Sequence, residues 1–277
     1  MPELPEVETV SLALSKIVKN SKVIKIRVFR KDLRWKIKEN LAKDLQQNIL
    51  KTPYRRGKYI LIPTFKDNIL LIHLGMSGQI KITANKKIKS KHDHVIMIIE
   101  TKDNKIYSIT YNDPRRFGYI DFFQIKEIEN HFLLKNLGVE PLGNDFNIDY
   151  LQKKIIKKTT CIKNILMDQS IIAGIGNIYA SEILYKAKIN PLRSASSLNN
   201  IDLKRLIHAT KIILEKSISV GGTSIRNHLQ PNGKLGYFVQ RLQVYGKTKE
   251  KCYKCNNYIS KIIINSRSTF FCGSCQK

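Results

Sequence analysis

Two cysteine pairs near the C-terminus, Cys252-x-x-Cys255 and Cys272-x-x-Cys275, constrain this 277-residue chain more tightly than any other feature. Sixteen residues separate the pairs, a spacing that reads as a four-cysteine zinc site. Each pair can form a tight knuckle, and residues 258–271 alternate between them like a β-hairpin. Four thiolates saturate tetrahedral Zn²⁺, so a site of this kind is structural and has no open position for chemistry. Disulfides are the competing reading. The chain has no apolar run of transmembrane length, and its acidic, Pro-bearing start is unlike a signal peptide. A cytosolic location with reduced thiols is therefore expected, and it favours zinc. Cys161 stands apart and reads as a packed core thiol.

Ahead of the cysteines the hydrophobic pattern changes once. Residues 21–125 read as mostly β: Ile24 to Val28 alternates, residues 59–65 and 69–83 are apolar runs, and 95–100 and 106–111 follow. Turn signals at Lys102-Asp103-Asn104 and Asn112-Asp113-Pro114 divide them. Strands without intervening helices suggest a sandwich. From residue 147 the pattern turns helical, over 150–157, 177–186 and 203–220, with residues 138–147 as the expected linker. A glycine-punctuated strip, Gly221-Gly222 to Gly233 and Gly236, leads on to the cysteines. The class is α+β, multidomain, and the length allows two domains plus a small appendage.

Lys and Arg number 49 against 22 Asp and Glu, a formal charge of +27. The excess lies in both halves rather than in a tail, which favours a polyanion partner, DNA or RNA first. Compositional bias of an AT-rich genome accounts for part of it.

The start, Met1-Pro2-Glu3-Leu4-Pro5-Glu6, is a candidate nucleophile. If Met1 is trimmed, Pro2 carries a secondary amine with pKa ~7.7–8.0, against ~10.4 for a lysine. An N-terminal amine of this kind forms Schiff bases with carbonyl-like carbon. The plainer reading is a helix start, with Pro5 near the first position and Glu3, Glu6 and Glu8 favoured by the helix dipole.

Further candidates sit on turns. Gly174-Ile175-Gly176-Asn177 precedes an apolar helix, where backbone N–H groups and Asn177, also a possible cap, could meet a phosphate. Met76 lies between two glycines in Leu74-Gly75-Met76-Ser77-Gly78, and Arg115 and Phe117 lie in Asp113-Pro114-Arg115-Arg116-Phe117-Gly118. An apolar filler, a donor and a wedge are what base extrusion from duplex DNA requires; core packing serves Met76 and Phe117 equally well on the residues alone. Lys58, in Arg55-Arg56-Gly57-Lys58-Tyr59, is a cation at a strand entrance or a solvated turn. His92 and His94 share a strand face by spacing but lack a third metal ligand, so phosphate contact or plain hydrogen bonding fits them.

Taken together, MPELPEVET, RRGKY, HLGMSG, KHDHV, NDPRRFG, CIKNILMDQ, GIGNIYASEIL, GGTSIRN, QVYG and the cysteine pairs around SRSTFFC resemble the formamidopyrimidine-DNA glycosylases, over essentially the whole chain. The resemblance implies a β-sandwich flanked by helices (1–137), a helix-two-turn-helix domain (138–235) and a zinc finger (243–277). It implies an enzyme of base-excision repair that removes oxidised purines from double-stranded DNA and cleaves the abasic site by β,δ-elimination. Pro2 is then the nucleophile at the sugar C1′, Glu3 the acid at the ring oxygen, Glu6 a supporting group, Lys58 the phosphate-contacting lysine aiding β-elimination, and Arg267 the residue of δ-elimination. Met76, Arg115 and Phe117 match the void-filling trio, with Arg115 facing the orphaned cytosine. His92, Lys163 and Asn177 match phosphate contacts, and residues 223–227 the loop over the everted base. A basic residue often found four positions before Lys163 is Thr159 here, which leaves Lys158 as the candidate for that contact. One structural zinc on Cys252, Cys255, Cys272 and Cys275, a monomer without an obligatory protein partner, and a bacterial, nucleoid-associated cytoplasmic location complete the expectation. Endonuclease VIII-like action on oxidised pyrimidines, a non-catalytic zinc protein for damaged DNA, and a zinc ribbon acting on RNA are the alternatives.

Overall fold

The computed structural model of the chain describes residues 2–85, 89–223 and 237–277, which fall into two compact units. The first comprises Met1–Lys135 and Val220–Tyr237. Its helix α1 (Leu4–Val18) forms because Val7, Val10, Leu14 and Val18 recur at helical spacing, and all four are buried. It lies on β2 (Tyr54–Arg56) and β3 (Tyr59–Pro63). These strands pair with β4 (Asn68–His73) and β8 (Tyr119–Gln124) in one antiparallel sheet, ordered β2-β3-β4-β8. The other sheet is ordered β1-β6-β7-β5, from β1 (Lys22–Val28), β5 (Gln79–Ala84), β6 (Asp93–Glu100) and β7 (Ile106–Asn112).

Inward residues of both sheets, among them Ile60, Ile62, Leu70, Ile72, Val95, Met97 and Ile109, form one buried cluster with the stripe of α1. At about 1.5–3 kcal/mol for each large apolar side chain buried, this cluster dominates the unit's stability. A cavity of about 30 Å³ remains within it, lined in part by Val95, Met97 and Ile109. The apolar run 69–83 is two strands, because Gly75 adopts φ +61° and turns the chain between β4 and β5. The short helix α2 (Leu41–Leu45), which buries Leu41 and Leu45, has too few residues to show a period.

The second unit comprises Asn136–Ser219 and Phe238–Lys277. It contains α3 (Ile148–Ile155), α4 (Ile162–Met167), α5 (Asn177–Ala187) and α6 (Asn200–Ser219), then the hairpin of β9 (Ser260–Ile264) and β10 (Arg267–Phe271). Helix α5 is apolar nearly all round and is buried along most of its length. Asn265 and Ser266, both left-handed at φ 46° and 58°, close the hairpin. Two consecutive residues of that hand are the turn whose twist matches the flanking strands. Cys161 corrects the expectation of a core thiol: it is half-buried at the start of α4.

Candidate active site and nucleic-acid interface

In the first unit Pro2 is buried, and Glu3 and Glu6 are each 2 % exposed. The two acids form a reciprocal capping box: the Glu3 carboxylate accepts from the Glu6 N–H, and Glu6 Oε2 accepts from the Glu3 N–H at 2.8 Å. Such a box satisfies two of the helix's orphan donors at once. Glu6 has a second task. Its Oε1 accepts from the Thr223 N–H at 2.7 Å, and Gly222, at φ +78°, leaves only enough room for a Cβ to sit 3.0 Å from that oxygen. The same carboxylate therefore fixes both the residue following Pro2 and the chain entering the glycine-rich strip. Ser224–Asn227, nominated to cover an everted base, lie outside the described residues.

Lys58 occupies the second position of a two-residue turn between Arg56 and Tyr59, with Gly57 at φ 56° supplying the left-handed first position. Arg55 braces that turn. Its Nε donates to Glu8 Oε2 of α1 at 2.7 Å, and its Nη1 donates to the Gly57 carbonyl at 3.0 Å. His73, at the end of β4, packs against Tyr59 with ring centroids 4.9 Å apart and the rings tilted by 32°. Burial lowers the His73 pKa to about 4, and the positive charges of Lys58 and Arg34 push the same way. The imidazole thus stays neutral beside Lys58, and its buried Nδ1 has no hydrogen-bond partner among the described residues. Sequence reading passed over both Arg55 and His73; a histidine ending an apolar strand, and an arginine two before a glycine turn, were the available signals.

The turns bearing Met76, Arg115 and Phe117 meet backbone to backbone: a Cβ on Gly75 would fall 2.3 Å from the Phe117 carbonyl carbon. Met76 and Phe117 are 41 % and 42 % exposed, which removes the core-packing reading. The Arg115 guanidinium lies 4.7 Å from the Phe117 ring centroid. Asp113, fully buried, holds the arrangement. Its carboxylate accepts from Ser77 Oγ at 2.5 Å, the Gly118 N–H at 2.9 Å and the Tyr111 hydroxyl at 3.2 Å, and Ser77 Oγ in turn accepts from the Arg115 N–H at 3.1 Å. His92 and His94 do not share a face. His92 is exposed and left-handed at φ 67° ahead of a bulge in β6, whereas His94 is buried, its Nε2 2.7 Å from the Asp113 carbonyl.

In the second unit, Gln169 shapes the glycine turn, accepting from the Gly174 N–H and donating to the Ile175 carbonyl, both at 2.8 Å. Gly176 caps α5, so Asn177 is its first residue and not its cap. Asn177 Nδ2 donates to the Ser268 carbonyl at 2.8 Å, and Lys163 Nζ donates to Thr269 Oγ1 at 2.5 Å. Lys163 is only 1 % exposed. Two of the nominated residues thus converge on the β10 positions directly after Arg267, which is itself exposed, as is Lys158. Glu182 was missed in the sequence, although a carboxylate amid an apolar helix was its signal. It is buried and accepts from the N–H groups of Gln243, Val244 and Tyr245 at 2.9, 2.9 and 2.8 Å. Burial raises its pKa, and the three backbone bonds offset part of that rise.

All five cysteines are free thiols, and the ligand atoms of Cys252, Cys255, Cys272 and Cys275 lie within 4.8 Å of one another. Sulfurs at ~2.3 Å around a tetrahedral zinc sit about 3.8 Å apart. Cys252–Cys275 and Cys255–Cys272, at 3.9 and 3.4 Å, fit that frame.

A buried helix start with paired acids, the exposed turns of Met76, Arg115 and Phe117, and a four-cysteine cluster fit a DNA-repair glycosylase of the helix-two-turn-helix class. Family comparison narrows this. Residues 1–120 match the formamidopyrimidine-DNA glycosylase N-terminal domain, residues 137–228 the H2TH domain of the same enzymes, and residues 249–277 the zinc finger found in FPG and IleRS. The chain is 43 % identical to a formamidopyrimidine-DNA glycosylase of Zymomonas mobilis and 39 % identical to one of Bartonella quintana, each over 100 % of both chains. It superposes with a TM-score of 0.91 on a Lactococcus lactis FPG mutant in complex with Fapy-dG-containing DNA, at 35 % identity and 100 % coverage of both chains. The wild-type Lactococcus lactis protein bound to N7-benzyl-Fapy-dG-containing DNA gives 0.89 at 36 % identity, with the same coverage. The chain belongs to the formamidopyrimidine-DNA glycosylase family. It carries one structural zinc on its four C-terminal cysteines.

Proposed function

We propose that the protein excises 8-oxoguanine and formamidopyrimidines from duplex DNA through a Schiff base on Pro2 and then breaks the strand on both sides of the abasic site. The observation that carries this reading is the buried start of α1, where Glu3 and Glu6 lock each other in place beside Pro2. A glycosylic bond inside a stacked duplex is out of reach, so the nucleotide is first extruded, at a cost of a few kcal/mol. Met76 fills the vacated stack, Phe117 wedges beside it and Arg115 donates to the orphaned base. The Pro2 nitrogen, freed by loss of Met1, attacks C1′ while Glu3 protonates the ring oxygen, and the base departs. The resulting iminium acidifies the C2′ hydrogens. Loss of one expels the 3′ phosphate with help from Lys58, and a second elimination, assisted by Arg267, expels the 5′ phosphate. His92 and Lys158, both exposed, and Asn177 hold neighbouring phosphates, while Lys163, buried on Thr269, steadies β10 beside Asn177.

Segments 1–137, 138–235 and 243–277 supply the chemistry, the duplex grip and the hairpin in turn. Zinc, when bound, supplies only rigidity, since four thiolates leave no open position. No helix among the described residues is long and apolar enough to cross a membrane, and action on duplex DNA assigns the protein to the nucleoid.

Borohydride trapping tests the proposal. Protein with Met1 removed is expected to form a covalent adduct with a duplex holding 8-oxoguanine opposite cytosine, mapping to Pro2. Pro2→Gly, which replaces the secondary amine with a primary one, should sharply lower trapping and strand cleavage while binding of the same duplex persists. Undiminished turnover in Pro2→Gly, with the adduct mapping away from residue 2, would show the nucleophile to be another group.

A further inference from the structure

Helix α5 is tied to the C-terminal segment at three heights. Asn177 in its first turn bonds the Ser268 carbonyl of β10, and Glu182 in its middle gathers the three N–H groups of residues 243–245. In its last turn the Tyr185 hydroxyl lies 3.1 Å from Cys252 Sγ. Tyr185 is 2 % exposed and packs with Val244, Cys252, Ile259, Phe270 and Cys272, so its oxygen is shielded from water. A phenylalanine would fill that space and make the same apolar contacts, whereas a buried hydroxyl is unfavourable unless it is bonded. The bond to sulfur is what the oxygen adds. A zinc-bound cysteine has lost its proton, so in the metal-loaded protein the hydroxyl is the donor and the thiolate the acceptor.

We propose that Tyr185 is an outer-sphere hydrogen-bond donor to the zinc site, and that through α5 it couples zinc retention to duplex binding at the other end of the same helix. The second half rests on the reading of Asn177 as a phosphate contact. Outer-sphere partners of metal ligands govern affinity by 10–100-fold. Coupling between two binding sites is reciprocal, so if zinc steadies the Asn177 end for duplex, duplex must in turn hold the zinc more tightly.

The test uses the zinc-loaded full chain. Zinc transfer to a chromogenic chelator is followed for the parent and for Tyr185→Phe, with and without saturating duplex bearing a stable abasic-site analogue. Without duplex, the variant is expected to hold zinc about tenfold more weakly; equal affinity overturns the hydrogen bond. Cobalt-loaded protein gives an independent readout. Removing a bond to the thiolate should shift the sulfur-to-cobalt charge-transfer band to longer wavelength, and an unmoved band also overturns the proposal. Duplex should slow zinc loss severalfold in the parent and less in Tyr185→Phe; equal protection in both overturns the coupling. Asn177→Ala separates the premises. If it binds duplex as the parent does, the phosphate reading fails while the duplex-free comparison still decides the role of Tyr185.

Discussion

The two units hold their exposed groups by different means. In the first, the turns bearing Lys58, Met76, Arg115 and Phe117 rise from a sandwich whose core draws on both sheets and α1. In the second, the hairpin bearing Arg267 stands on a small cluster of Tyr185, Val244, Ile259, Phe270 and two buried cysteines. A core of that size cannot offset the ordering of a 29-residue finger (249–277). Buried polar clamps and a metal make up the difference: Glu182 on three backbone N–H groups, Lys163 on Thr269, and four thiolates in a tetrahedral frame. The sandwich can be read as self-supporting, and the finger as conditional on its ion.

Stripping zinc is the severest test of that contrast. Structural zinc contributes apparent binding free energies of about 10–16 kcal/mol, which in such modules is folding free energy. A chelator should abolish protection of the β9 and β10 amides in hydrogen exchange and leave strands β3, β4 and β6 protected as before. Equal loss in both units would show that the sandwich too depends on the metal. Duplex binding should fall with the finger, because Asn177 and Lys163 would lose their partners on β10.

The contrast also explains what could be seen in the sequence. The cysteine pairs, the strand alternation and the α5 pattern are local, and each announced its element. Placements set by distant partners were not legible. His92 and His94 are two residues apart, yet a left-handed residue and a bulge send them to different environments. Asn177 looked like a cap, but its amide is claimed by Ser268, 91 positions away. Lys163 was nominated as a phosphate contact and is buried on Thr269. Asp113 read only as part of a turn signal, because its value lies in three donors, from two turns and from β7, that only the fold brings together. The side chains of Arg115 and Arg267, by contrast, stand exposed.

Acid should separate the units next. The folded pKa of His73 is about 4, against an ordinary value of 6.5. Between those values the unfolded chain binds the proton and the folded one does not, so stability rises with pH in that window. The contribution is complete above about pH 6.5 and is lost as pH falls towards 4, to a total of about 3 kcal/mol. Unfolding of the sandwich should track this slope, and His73→Gln should flatten it. Asp121 adds a smaller effect of the same sign at lower pH. Burial pushes its carboxyl up, but bonds to His131 and Lys38 outweigh that and hold it below the usual range.

Asp113→Asn sharpens the comparison within the first unit. The amide keeps one acceptor but turns a donor towards either Ser77 or the Gly118 N–H, an unsatisfied contact worth about 1–3 kcal/mol. Because the loss falls where two turns are joined, affinity for lesion-bearing duplex should drop while affinity for undamaged duplex, which needs no wedge, stays level. A parallel drop for both duplexes would mean that the turns grip the backbone instead of filling a gap.

The smallest effect tests whether the sandwich is as self-contained as its core implies. The cavity of about 30 Å³ behind Val95, Met97 and Ile109 is dry by its lining and has room for a methyl group. Cavity volume costs about 24 cal/mol per Å³, so Val95→Ile should add roughly 0.7 kcal/mol if the new methyl enters without strain. That gain should appear as a slightly higher melting temperature of the first unit, with zinc retention in the second unchanged. Were the same methyl to alter zinc retention, stability would be shared between the units, and the division into a self-supporting sandwich and a metal-dependent finger would have to give way to one cooperative molecule.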